Sequence, residues 1–158
     1  MRIGFGYDAH RFTDGDYVII GGVKIPYKKG IQAHSDGDVL LHAIGDALLG
    51  AAALGDLGQH FPDTDPRFKS AESSSLIEHI MSLLQEKNYT VLNIDATVIT
   101  ENPRLSKYID SMRQTIAQLL RISVDEVNVK ATTNEKMGWI GRGEGLAAQA
   151  VVLLSPSP

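Results

Sequence analysis

Two short stretches of the chain carry side chains able to hold an ion. One is Asp8-Ala9-His10; the other is His34-Ser35-Asp36-Gly37-Asp38-Val39-Leu40-Leu41-His42. Residues two apart on a strand project from one face, so Asp8 and His10 can grip an ion from the same side. In residues 34–42 polar side chains give way to an apolar run without a spacer, as where a loop feeds into a buried helix. Asp36 or Ser35 is placed to cap that helix, Asp38 complements the positive end of its dipole, and His42 falls one turn inside with a fixed direction. If the two stretches meet, a carboxylate and two imidazoles offer metal-ligand chemistry. Each half also has an ordinary reading, as a polar strand end and as a hydrogen-bonded core histidine. Asp38, His42 and Asp46 lie four apart on one helix face, so Asp46 or Asp38 is placed to orient the imidazole.

The elements around these stretches follow from periodicity. Residues 2–12 read as a strand, and residues 18–25 as a hairpin turning at Gly21-Gly22. A helix from Asp38 to Leu54 stops at Gly55, a residue suited to a left-handed cap. Residues 55–69 are rich in turn formers and read as a loop of about fifteen residues, a length that suits a flap over a ligand. Residues 70–88 have the spacing of a surface helix, with His79 on its solvated face. A strand over residues 89–100, a helix from Pro103 to about Arg121, a strand over residues 127–133 and a last strand over residues 146–154 complete the chain. Thr132, Thr133, Glu135 and Lys136 could bind phosphate and a divalent ion through hard oxygen donors, or could be a plain polar strand end. Residues 141–145, Gly-Arg-Gly-Glu-Gly, lack the Gly-Lys-Ser or Gly-Lys-Thr of a P-loop.

These elements make an α+β fold, a two-layer sandwich of a four-stranded mixed sheet with helices on one face and a short β-hairpin beside it. The other sheet face is left bare, and a further copy of the chain is the simplest cover, so an oligomer is expected. With 158 residues, residues 1–158 fit one domain. A formal net charge of -4 argues against nucleic acid bound through a broad basic face. No cysteine is present, so any metal must be held by His, Asp or Glu. The start of the chain lacks the pattern of a secretory signal. The apolar run over residues 39–54 contains His42 and Asp46, so a buried helix is expected rather than a membrane span.

Several pieces resemble, in order and spacing, the 2-C-methyl-D-erythritol 2,4-cyclodiphosphate synthase family of the non-mevalonate isoprenoid pathway. They are Gly6-Tyr7-Asp8-Ala9-His10, residues 34–42, residues 48–58, Phe61-Pro62-Asp63-Thr64-Asp65-Pro66, residues 128–133 with Glu135-Lys136, and residues 141–145. The resemblance spans essentially the whole chain. It implies a phosphorus-oxygen lyase that closes 4-CDP-2-C-methyl-D-erythritol 2-phosphate into a cyclic diphosphate and releases CMP. It further implies a homotrimer whose sheets face inward, with active sites between subunits. Zinc would sit on Asp8, His10 and His42, and a second divalent ion, magnesium or manganese, near Glu135 and the substrate phosphates.

By the same resemblance His34 and Thr133 would stabilise transition-state charge, and Ser35 would help hold phosphate. Asp8, His10 and Glu135 would also touch the substrate. Asp56, Gly58, Phe61, Asp63 and Asp65 would hold its erythritol and sugar part, and residues 100–106, Thr100, Arg104 and Leu105 among them, would form the cytidine pocket with Ala131, Thr132 and Thr133. Trp139 and Arg142 would face the trimer axis, where an isoprenoid diphosphate could lie. Arg104, Asn134 and Trp139 depart from the family's usual Lys, Thr or Ser, and Phe. The implied compartment is the cytoplasm of a bacterium, in preference to a plastid-like one. A zinc-dependent phosphohydrolase would share the three ligands but give linear products; a non-catalytic isoprenoid-diphosphate binding module would show no turnover.

Overall fold

Two glycines on the first strand decide how closely the central helix can lie on the sheet. Strand β1 (Arg2–Thr13) turns Gly4 and Gly6 toward helix α1 (Val39–Ala51). A Cβ on Gly4 would lie 1.8 Å from the Ala47 carbonyl oxygen, and one on Gly6 would lie 1.9 Å from that of Ala43. Two residues of strand advance about 6.7 Å and one helical turn about 5.4 Å, so the two repeats run nearly in step. The next residue on that face of the strand is Asp8, which comes level with the helical turn carrying His42. The glycine contact therefore sets the distance between the two expected ligand stretches.

The computed structural model describes residues 1–157. After β1 come the hairpin strands β2 (Tyr17–Ile20) and β3 (Val23–Pro26), a short strand β4 (Gly30–Gln32) and then α1. Two short helical turns, α2 (Leu57–His60) and a 3-10 turn at Pro66–Phe68, lead to α3 (Ser73–Glu86). Strand β5 (Tyr89–Ile99), α4 (Ile109–Leu120), β6 (Val127–Thr132), the one-turn helix α5 (Gly138–Gly141) and β7 (Gly145–Pro156) follow. The main sheet has the order β4-β1-β7-β5-β6, with β5 and β6 parallel and the other pairs antiparallel. It has five strands where four were expected. The extra one, Gly-Ile-Gln, is too short to show alternation, and it forms by pairing with β1 at Arg11, Phe12 and Thr13.

Helix α1 ends at Ala51, three residues earlier than expected. Ala53 takes the left-handed position that closes the helix, at φ 58°, and Gly55 has a positive φ of 84° two residues beyond it; the Ala53 N–H donates to the Gly50 carbonyl, and the Leu54 N–H donates to that of Leu49. That pair of bonds satisfies the last carbonyls of the helix and holds an alanine in a conformation more often given to glycine. Helix α4 starts at Ile109 rather than Pro103, after a 3-10 turn at Ser106–Tyr108.

Asp38 ties the hairpin to the helix. It is fully buried and is the N-cap of α1, its carboxylate accepting from the Leu41 N–H and from the N–H groups of Gly21 and Gly22 in the turn between β2 and β3. Both glycines have positive φ, 60° and 73°, as that tight turn requires. Burial pushes the Asp38 carboxyl up to about 6; the three N–H bonds oppose the rise and nearby Asp36 adds to it. Asp38→Ala would leave three N–H groups without an acceptor. At about 1–3 kcal/mol per buried unsatisfied group, less what entering water recovers, a loss of about 3–5 kcal/mol is expected. A thermal melt should then fall by roughly 10 °C, and an unchanged melting temperature would show that Asp38 is not the tie.

The helices lie on one face of the sheet over a core that includes Ile44, Leu48, Ile80, Met112 and Val98. The other face is apolar and open: Ile3 is 75%, Phe5 60%, Tyr7 49% and Val151 44% exposed, and Phe5 and Val151 are cross-strand neighbours. No helix among the described residues is long and apolar enough to cross a membrane.

Candidate metal centre and substrate cleft

The two ligand stretches do converge. Asp8 Oδ2 lies 2.8 Å from His10 Nε2 and 3.0 Å from His42 Nδ1, and the two imidazole nitrogens are 3.2 Å apart. A tetrahedral zinc with ligands at about 2.0–2.1 Å has ligand-to-ligand edges of about 3.3 Å. The observed triangle is close to one face of that tetrahedron, so the donors fit a divalent ion. Among the described residues this is the one group of three such side chains with a common focus. Burial raises the Asp8 carboxyl, but the hydrogen bonds from His10 and His42 outweigh it and hold the group at about 2, so it is a carboxylate at neutral pH. Burial lowers His42, yet its contact with Asp8 and the charges of Asp38 and Asp36 raise it overall.

The other ring nitrogen of His42 faces a hydroxyl. Its Nε2 lies 2.8 Å from Ser73 Oγ, and Ser73 Oγ donates in turn to Asp36 Oδ1. Asp36 also accepts from the Ser73 and Asp38 backbone N–H groups, so it caps α3 and not α1. Neither Asp38 nor Asp46 orients the imidazole: Asp38 is spent on the hairpin, and Asp46 Oδ1 accepts from the Leu57 N–H at 2.8 Å. Ser73 was invisible in the sequence, being one of three consecutive serines at a helix start with nothing to single it out.

The triangle lies in a cleft of about 800 Å³. His34, Ser35, Gly58, Phe61, Asp63 and Asp65 of the expected set line it, with Asp46 and Lys69 added. Asp56 stands beside the cleft as the N-cap of α2. The segment over residues 61–69 is not a bare loop. Asp65 Oδ2 pairs with Arg67 at 2.6 Å, and Phe61 packs edge-on against Phe68 and against His79, which is exposed as expected. The cleft walls bring four carboxylates, Asp8, Asp46, Asp63 and Asp65, against one Lys or Arg, Lys69, among the described lining residues. Burial and the nearby carboxylates Asp56 and Asp8 raise Asp46, against the pull of the Leu57 N–H.

The remaining expected residues gather elsewhere. Thr100 directly follows β5 and Thr132 ends β6, and the two are joined by the Thr100 N–H to Thr132 carbonyl bond at 3.0 Å, so residues 100–106 and 131–135 share one end of the sheet. Leu105 is buried, whereas Arg104, Ala131, Thr132, Thr133 and Glu135 are exposed. Glu101 Oε1 accepts from the N–H groups of Asn134 and Lys136, bracing a loop in which Glu135 and Lys136 both have positive φ, 52° and 61°. The sheet register sets Asp8 opposite Ala148, Ala148 opposite Val98, and Val98 opposite Ala131. Three strand spacings, about 14 Å, therefore separate this group from the metal triangle within one copy of the chain. Trp139 packs over Gly145, and Arg142 is paired with Glu144 at 2.6 Å.

Fold and cleft together define a two-layer α+β protein whose cleft carries a group of three side chains, Asp8, His10 and His42, that could hold a metal ion. The chain belongs to the YgbB family, whose family model matches residues 1–155. A relative from Pseudomonas putida (strain W619), named 2-C-methyl-D-erythritol 2,4-cyclodiphosphate synthase, is 59% identical over 99% of this chain and 100% of its own. Among solved structures, the Plasmodium falciparum IspF CDP complex superposes with a TM-score of 0.87 at 34% identity, over 99% of this chain and 97% of that one. The bifunctional IspDF of Campylobacter jejuni gives 0.94 at 42% identity; this chain is covered to 98% and spans 42% of that longer protein.

Proposed function

We infer that this chain is a cyclodiphosphate synthase, a lyase of isoprenoid biosynthesis that converts 4-CDP-2-C-methyl-D-erythritol 2-phosphate to 2-C-methyl-D-erythritol 2,4-cyclodiphosphate and CMP. The observation that carries it is the triangle of Asp8, His10 and His42 in the cleft, in a chain 59% identical to a protein of that name. The reaction needs two phosphates of like charge brought together in line, with no side-chain nucleophile: the 2-phosphate oxygen attacks the β-phosphorus, and the bond to CMP breaks. Asp8, His10 and His42 would hold zinc, which when bound supplies a Lewis acid to polarise a phosphoryl oxygen and offset repulsion. His34 and Ser35, which line the cleft, would donate to phosphate oxygens. Gly58, Phe61 and Asp63 would seat the erythritol part and exclude water.

Residues 100–106 and 131–133 would take the cytidine, and the exposed carboxylate of Glu135 suits magnesium or manganese, an ion that leaves most of its positions to water and phosphate. Thr133, like His34, would steady charge on the phosphates. Because about 14 Å separates the two groups in one copy, the complete site is proposed to form between copies. A homotrimer that buries Ile3, Phe5, Tyr7 and Val151 would cover the open apolar face. Trp139 and Arg142 near its axis are proposed to meet an isoprenoid diphosphate, for which Arg142 must first leave Glu144. Residues 1–158 are taken as one domain, and the cytoplasm is the proposed compartment, in keeping with the bacterial relatives.

Phosphorus NMR of the protein with its CDP-linked substrate tests the reading. A cyclic diphosphate with stoichiometric CMP is expected. A linear phosphate product would put a hydrolase in its place, and binding without turnover a sensor module.

A further inference from the structure

The His42–Ser73–Asp36 chain of hydrogen bonds is more than a helix cap. Ser73 is 1% exposed, and its hydroxyl stands between the imidazole and the carboxylate. An imidazole that ligates through Nδ1 must carry its proton on Nε2, and the acceptor it then needs is the Ser73 oxygen. The serine proton goes on to Asp36, whose other oxygen accepts from the Ser73 N–H at 2.9 Å. Ser35 Oγ stands farther from the same nitrogen, at 3.4 Å, and is taken by the Gly37 N–H, so Ser73 is the nearer acceptor.

We propose that Ser73 and Asp36 are positioning residues of the metal centre, fixing the tautomer and direction of His42 and, through the carboxylate, making it a stronger donor to the ion. This rests on Asp8, His10 and His42 being a metal site. It adds two residues that touch neither metal nor substrate and that come from α3 and from the loop before α1. The Ser70 N–H donates to the His34 carbonyl at 2.8 Å, so the segment bearing Ser73 also fixes the loop that carries His34 and Ser35. A serine hydroxyl takes here the place usually held by a carboxylate or carbonyl next to a ligating histidine.

The test is zinc affinity by chelator competition, read beside the melting temperature of the zinc-free protein and the ¹⁵N shifts of His42 in the zinc-loaded one. Ser73→Ala is expected to weaken zinc about 10–100-fold, the range for loss of such outer partners. Ser73→Thr, which keeps the hydroxyl, should recover most of that. Asp36→Asn keeps an acceptor oxygen without the charge and should fall between. His42 of the native protein should show its proton on Nε2. Zinc affinity of Ser73→Ala within twofold of native, a proton on Nδ1, or a lower melting temperature with unchanged affinity would each overturn the relay while leaving the metal centre standing. Native protein that binds no zinc would remove both. If Ser73→Ala does not fold, Asp36→Asn carries the same decision.

Discussion

His42→Ala is expected to leave the purified protein without its metal and to lower turnover at least about 10³-fold, equivalent to about 4 kcal/mol of transition-state stabilisation. With the imidazole gone, Asp8 and His10 remain as two donors of a site that needs three from the protein. The loss is compounded by the walls of the cleft, because Asp8, Asp46, Asp63 and Asp65 face a substrate bearing several phosphate charges, and Lys69 is the one Lys or Arg among the described lining residues, with Arg67 already paired to Asp65. Without the ion that balance repels the phosphates it must bring together. The fold should survive, since alanine is a better helix former and His42 lies at the cleft rather than in the apolar core. Metal analysis and single-turnover rates of native, Asp8→Ala and His42→Ala proteins decide it. Equal zinc in all three would remove the site.

The convergence of the three candidate ligands was legible because metal chemistry restricts residue type and spacing at once: Asp8 and His10 share a strand face by period two, and His42 follows a loop that ends in a helix start. What supports them was not legible. Asp36 and Asp38 look alike in the sequence, each two residues from the other, yet one caps α3 across a gap of 37 residues and the other caps its own helix and a hairpin turn. Those partners are set by how the hairpin and α3 pack, which no local pattern encodes. The same limit hid β4, whose three residues become a strand only because β1 offers an edge. Residues 55–69, dense in turn formers, conceal two short helical turns capped by Asp56 and Asp65. Capping aspartates and turn aspartates share one sequence signal.

A large loss of stability is expected at Gly6, where, as at Gly4, even a methyl group has no room. A Cβ there would meet the Ala43 carbonyl oxygen at 1.9 Å and the Ala47 nitrogen at 2.8 Å, both backbone atoms of a helix buried along most of its length. No rotamer change relieves such a contact, so α1 would have to retreat about 1.5 Å to reach ordinary van der Waals separation. That movement opens the layer along Ala43, Ala47 and Ala51 and separates His42 from Asp8, the next residue on the same face of β1. Gly6→Val should therefore fail to accumulate as folded protein. Gly6→Ala, if it folds, should lose more than about 4 kcal/mol, a size reserved for changes to a close-packed interior. Any folded fraction should bind zinc more weakly than native protein, because the strand-to-helix distance sets the ligand triangle. A Gly6→Ala protein that melts within a few degrees of native and keeps its zinc would mean that the close approach of strand and helix does not position the site.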